Sequence, residues 1–361
     1  MLILHVGTQK TGTSALQGYL SQHADALLGQ GIRYLEAGRE RGNRSSHGDL
    51  AQSILGRGDL AIWEKVRREL RESTSRINLI SAEGFWFSDP AELKAELPEA
   101  DEIRIVVYLR RQDKYLQSLW KQAVTGGRRH SFAEWRERLP FRGDYFATLE
   151  RWSAQFGDHA IVVRPYERNG VVNTVEDFCR IVGATGLPEH KNVGRNPSPR
   201  KELLQFIRAF NHLQAEVDNH QFFRALIFKN PEYVRSCDML SYEEAAAVMK
   251  SYDESNRLLV EKYYRDDTVQ LFPELTRTEP SAVWQVDSEE FFRLTVDVLD
   301  VVAQFAASGS LKLESPVVQR PRQRREASSA TPRKKLDKSQ RALRKAERAA
   351  RDGGSRQLPP A

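Results

Sequence analysis

The sequence predicts an α/β fold: a P-loop-type parallel β-sheet flanked by helices, followed by a mainly helical C-terminal region and a disordered basic tail. Three observations lead there. Strand-like apolar runs recur at Leu2–Val6, Ile77–Ser81, Ile103–Leu109 and Ala160–Val163, with helical patterns between them. Strands that alternate with helices build a mostly parallel sheet covered on both faces. The first run leads into a glycine loop, Gly7 to Ser14, and then into the helix-like segment Ala15–Leu20. Finally, Gly7–Ser14, Ser81–Glu83 and Arg110–Arg111 all follow strand ends. Right-handed crossovers bring such ends to one edge of the sheet, where ligands bind.

The remaining elements follow in order. Leu60, Trp63, Val66 and Leu70 recur at helical spacing before the second run, and Phe132, Trp135 and Leu139 do so after the third. Tyr145, Leu149 and Trp152 form another such stripe. Val175–Val182 reads as a packing helix with Cys179 in its core face. From Pro199 the pattern is helical. Leu203, Leu204, Ile207 and Phe210 make one stripe, and Ser241 with Glu244 makes a capping box ahead of a long helix to about Tyr264. Ser288–Ala307 reads as a last helix. The expected organisation is one domain over 1–310, with an α/β core to 198 and a helical part from 199 to 310. A disordered tail over 311–361 follows, in which 336–350 has the pattern of a transient basic helix.

Charge is unevenly spread. The chain has 55 Lys and Arg against 49 Asp and Glu, and 14 and 4 of these lie from Ser315 onward. The first 314 residues therefore carry 41 against 45, a net −4, and the basic character belongs to the tail. That distribution argues against a dedicated nucleic-acid-binding domain, and it gives the tail an anionic membrane or polymer as its natural contact. Cys179 and Cys237 make neither a disulfide framework nor a metal motif. No apolar run approaches a membrane span, and a strand beginning at Leu2 leaves no room for a secretory signal. The expected location is cytoplasmic.

The glycine loop carries the chemistry. Strand, loop and helix together cradle a phosphate with backbone N–H groups and a helix N-terminus. In the nucleotide-hydrolysis pattern G-x-x-x-x-G-K-[ST], lysine directly follows the second glycine. Here Gly7 and Gly12 keep that spacing and Ser14 fills the last slot, but Thr13 stands where the lysine belongs. The lysine is Lys10, two residues before Gly12.

Thr8-Gln9-Lys10-Thr11-Gly12-Thr13-Ser14-Ala15-Leu16 resembles the 5′-phosphosulfate loop of sulfotransferases that use 3′-phosphoadenosine 5′-phosphosulfate (PAPS). QKTGTSAL is particularly similar to the N-sulfotransferase module of enzymes that modify heparan sulfate. The resemblance spans residues 1–200 in element order and is close only in the short motifs. It implies that the residue 11–14 amides, with the hydroxyls of Thr13 and Ser14, wrap the 5′-phosphate, and that Lys10 meets the bridging oxygen as the S–O bond breaks. A fixed cation there favours the transition state. A second segment, Arg104 to Ser118, resembles the family's 3′-phosphate site, in which an Arg ends a strand and a Ser follows eight residues later. Arg110 and Ser118 occupy those positions, although Arg110-Arg111-Gln112 replaces the usual Arg-Asn-Pro and leaves open which arginine faces the phosphate.

The acceptor needs a base. Glu83, just past the second strand run, matches the location of the heparan-type base, and His47 in the polar loop Gly42–Asp49 is the alternative. Lys191 and Arg195, in the loop before the helical region, are placed to close over the 3′-phosphate as some sulfotransferases do. No metal constellation is present, and the lysine and arginines supply positive charge instead. The expected activity is sulfuryl transfer from PAPS to a hydroxyl or amine, with a glycan or glycolipid acceptor implied by resemblance. Two rival readings are a P-loop kinase or NTPase, which requires lysine after Gly12 and an acidic metal ligand at a strand end, and a non-catalytic anion-binding interaction protein.

Overall fold

The structure is a computed structural model that describes residues 1–39, 45–97, 102–138, 143–166, 173–190, 199–212, 221–222, 225–226, 238–264, 270–276 and 288–309. Five strands, β1 (Leu2–His5), β2 (Ile32–Tyr34), β3 (Ile77–Ser81), β4 (Ile103–Leu109) and β5 (Ile161–Pro165), form one sheet in the order β2-β3-β1-β4-β5. Among the described residues, each pairing in this sheet is parallel. Leu2 of β1 is opposite Asn78 of β3 and Ile103 of β4, which sets the three central strand ends side by side. The chain leaves β1 toward β2 and leaves β4 toward β5, so the carboxyl ends of β1 and β4 flank the switch point where α/β sheets bind ligands.

The helices in chain order are α1 (Thr13–Gln22), α2 (Ala24–Leu28), α3 (Gly48–Ile54), α4 (Ile62–Glu72), α5 (Pro90–Ala95), α6 (Gln112–Thr125), α7 (Phe132–Arg138), α8 (Tyr145–Phe156) and α9 (Thr174–Val182). After them come α10 (Lys201–Asn211), α11 (Tyr242–Lys250), α12 (Asp253–Tyr263) and α13 (Ser288–Ala307). The unbroken apolar runs of the strands have a direct cause. Leu2, Leu4 and Val6 join Ile105 and Val107 in a core with Trp63 of α4 and Trp152 of α8. Ile3, Leu79, Val106 and Tyr108 point the other way, against Leu16 and Leu20 of α1 and Phe178 of α9. Both faces are covered, so both sets of alternate residues must be apolar. A separate cluster joins Trp120 of α6, Trp135 of α7, Leu203 and Ile207 of α10 and Leu294 of α13.

Several sequence expectations shift. The edge strand β2 was not predicted, because three residues after Gly31 are too short to show a period. The expected long helix to Tyr264 is two helices. Ser251 turns its hydroxyl back on the Ala247 carbonyl, and the chain restarts at Tyr252 with a φ of −118° and ψ of 6°. The predicted capping box of Ser241 and Glu244 is present. Leu60 lies before α4 and is exposed, and Cys179 is half-buried beside the second core. Leu139, Cys237, Lys191, Arg195 and the tail from 311 lie outside the described residues. Met1–Glu314 forms one compact unit in which Leu259 of α12 and Phe272 share the core of Leu4 and Ile105.

Candidate functional site

The loop after β1 is threaded between the ends of β3 and β4. Thr8 donates its N–H to Tyr108 O at 2.8 Å, and Tyr108 returns its own to Gly7 O at 2.7 Å. Gly7, at a φ of +111°, lies so close to β3 that a Cβ there would stand 3.3 Å from the Glu83 backbone. The Thr11 hydroxyl donates to Thr8 O at 2.6 Å, and that of Thr174, at the start of α9, donates to Thr11 O at 3.1 Å. Gly12 is the left-handed N-cap of α1, with a φ of 77°, and no side chain caps that helix. Ala15 and Leu16 donate their N–H groups to Gly12 O at 3.0 Å, which leaves those of Thr13 and Ser14 facing out of the helix end toward an anion.

Lys10 holds a φ of +65° without being glycine. Such a conformation costs about 1–2 kcal/mol and persists only where the surroundings impose it. Arg110 imposes part of it, donating Nη1 to Lys10 O at 3.3 Å. Burial, Arg110 and Lys121 push the Lys10 ammonium below its ordinary value, and Glu83 pulls it back up. Three cations from three elements therefore face one carboxylate around the loop, an arrangement that attracts anions.

The two arginines after β4 point to different partners. Arg110 also donates Nη1 to Ser118 Oγ at 3.0 Å, closing the eight-residue spacing, and its guanidinium lies 5.4 Å from the Tyr166 ring centre. Tyr145 fixes its backbone by donating to Arg110 O at 2.6 Å. Arg111 instead forms a two-point ion pair with Asp113 at 2.7 and 3.1 Å and donates to Pro273 O and Glu274 O. It is nearly buried and acts as a clip between α6 and the 270–276 segment.

Glu83 opens a 3-10 turn, Glu83–Phe87, and accepts a hydrogen bond from Thr13 Oγ1. The residue in the usual lysine slot thus holds the carboxylate at the loop. Lys10, Thr13, Glu83, Arg110 and Ser118 are joined through these contacts, and Ser14 is exposed at the start of α1. His47 is placed differently. Ser81 N–H donates to its Nδ1 at 3.1 Å, which puts the proton on Nε2, and Nε2 donates to Leu35 O at 2.9 Å. Both ring nitrogens have backbone partners, and burial, with the Arg39 charge, lowers its pKa to about 3. This geometry makes His47 a bridge between the β2 exit and β3 rather than a base.

Sequence reasoning gave no role to Lys121, Tyr166 or Thr174, and it read Ser81 only as the start of a strand-end segment. Ser81 accepts from Gln17 Nε2 at 3.2 Å and is hydrogen-bonded to His5 Nδ1 at 2.7 Å, which steadies the strand end two residues before Glu83. Tyr166 was within reach of the strand-end rule, since it directly follows β5. Lys121 stands one turn beyond Ser118 on α6 and its charge acts on Lys10, so the Arg110-to-Ser118 spacing already points to its face of the helix.

No family model matches the chain. A curated relative from Archaeoglobus fulgidus, described as an uncharacterized protein, is 26% identical over 192 residues, 53% of this chain and 50% of its own length. The chain thus spans about half the length of the curated relative it matches. The crystal structure of a sulfotransferase from Alicyclobacillus acidocaldarius is 24% identical and aligns over 58% of this chain and 91% of its own, with a TM-score of 0.37. The fold assignment therefore rests on the strand order and register of this chain. Among the described residues no helix is long and apolar enough to cross a membrane, and no group of three His, Cys, Asp or Glu is placed to hold a metal ion.

Proposed function

We propose that this chain is a PAPS-dependent sulfotransferase. The observation that carries the reading is the meeting of Lys10, Glu83 and the Arg110–Ser118 pair at the β1/β4 switch point. The uncapped N-terminus of α1 fits a 5′-phosphate. A Cβ on Gly12 would stand 3.1 Å from Thr174 Oγ1 and 3.4 Å from Tyr166, so the approach needs glycine. Bound PAPS supplies the transferable sulfuryl group. The residue 11–14 amides, with the hydroxyl of the exposed Ser14, hold its 5′-phosphate, the Thr13 hydroxyl being committed to Glu83, and Arg110 with Ser118 grips the 3′-phosphate through two points eight residues apart. Tyr166 walls that pocket. Lys10 offers its ammonium where negative charge grows on the leaving oxygen. Glu83 takes the acceptor proton, held beside the loop by Thr13. Lys191 and Arg195 are assigned to closure over the 3′-phosphate. A carbohydrate hydroxyl or amine is the proposed acceptor, and the cytoplasm the proposed location.

Calorimetry with adenosine 3′,5′-bisphosphate and with ATP–Mg²⁺ tests this. The bisphosphate is expected to bind at least tenfold more tightly. Tight ATP–Mg²⁺ binding with none of the bisphosphate would sink the proposal in favour of a kinase or NTPase.

A further inference from the structure

A second cationic site lies at the far end of α6, away from the phosphate loop. There a cleft of about 570 Å³ is lined by Arg128, Arg129, His130, Glu134, Arg208 and His212. That volume falls within the roughly 300–1,000 Å³ of small-molecule sites. The cleft is built rather than incidental. Asn211, buried at the end of α10, donates Nδ2 to Val124 O at 2.8 Å and to Arg128 O at 2.9 Å. Trp120 of α6 donates Nε1 to His130 O at 3.1 Å, and Glu134 accepts the Ser131 N–H and hydroxyl at the start of α7. Three helices thus pin the 126–131 loop that carries the first two arginines.

The charges point to a ligand. Among the described residues three guanidiniums and two imidazoles line the cleft against one carboxylate, in a body whose first 314 residues are net negative. Arg208 is half-buried, yet neither it nor Arg128 forms an ion pair or side-chain hydrogen bond among the described residues. A partly desolvated guanidinium without a carboxylate is unfavourable, and its planar fork matches an oxyanion at two points. We infer that this cleft is a binding site for phosphate or sulfate ester groups, separate from the loop at Lys10. Its ligand is either a free oxyanion or an ester carried on a small sugar.

The site does not depend on the proposed sulfuryl transfer, and its test is separate. The full chain is titrated calorimetrically with sucrose octasulfate and with inorganic sulfate, both in the presence of saturating adenosine 3′,5′-bisphosphate. The double variant Arg128→Gln/Arg208→Gln is expected to weaken octasulfate binding at least tenfold and to leave bisphosphate binding within twofold. The basic tail contributes equally to both proteins. Arg208→Lys keeps charge and stem but loses the fork, and it should lose several-fold. If sulfate shows the same dependence on the arginines at similar affinity, the ligand is a free oxyanion; if only the octasulfate does, it is a sugar ester. Octasulfate binding that is unchanged in both the double variant and Arg208→Lys would overturn the inference.

Discussion

Lys10 combines two demands that pull in opposite directions. Its backbone sits at a φ of +65°, where glycine is favoured, while the proposed chemistry needs an ammonium there. The two can be separated by substitution. Lys10→Ala and Lys10→Gly should each cut sulfuryl transfer by about 10²–10³-fold, whereas Arg200→Ala, at the start of α10, should leave it nearly unchanged. In thermal unfolding Lys10→Gly should be more stable than Lys10→Ala by about 1 kcal/mol, because only glycine removes the left-handed cost. Equal stability of the two would show that the loop does not hold this conformation. The arginine pair behaves in the same divided way. Asp113→Ala leaves the Arg111 charge buried without its carboxylate and should cost about 3 kcal/mol in urea unfolding. Bisphosphate affinity, assigned to Arg110, should change little in the protein that remains folded.

Between elements, two buried histidines join the strands behind the site. Burial lowers His5 and His47 to about 3 from 6.5. Above pH 6.5 both are neutral in folded and unfolded chains alike, so their full contribution is present there. As pH falls from 6.5 toward 3, the unfolded chain takes up protons that the folded chain refuses, and stability drops by up to about 1.4 kcal/mol per pH unit for each ring. Comparing urea unfolding at pH 7 and pH 5, His47→Gln should remove about 2 kcal/mol of the acid loss. A variant that loses as much as the parent would show that the ring is not held neutral. Much at this scale was legible in the sequence. The strands β1, β3, β4 and β5 were read from apolar runs because both sheet faces are buried, and the stripe of α10 from its period. The β2 strand and the break between α11 and α12 were not, since one is held by its pairing to β3 and the other by a hydroxyl turned onto its own helix.

For the whole molecule, charge separates what composition alone blends. The first 314 residues are net −4 and the last 47 are net +10. Truncation after Glu314 should therefore leave transfer within twofold of the full chain while abolishing retention on vesicles of anionic lipid at low salt. A large loss of transfer would tie the tail to the site itself.

From the sequence alone came the strand–loop–helix around Lys10 and the Arg110-to-Ser118 spacing. Both are contained in single strand–turn–helix stretches, where a fixed number of residues sets the distance. Glu83 was legible too, as a carboxylate after a strand end. Only the tertiary structure decided that Arg110 and not Arg111 turns to the loop, that Thr13 holds Glu83, that His47 is committed to the backbone, and that Tyr166 joins the site. Those outcomes depend on the β3-β1-β4 register and on how α6 packs across it. Register and docking are set by contacts between residues distant in sequence, and no local spacing encodes them.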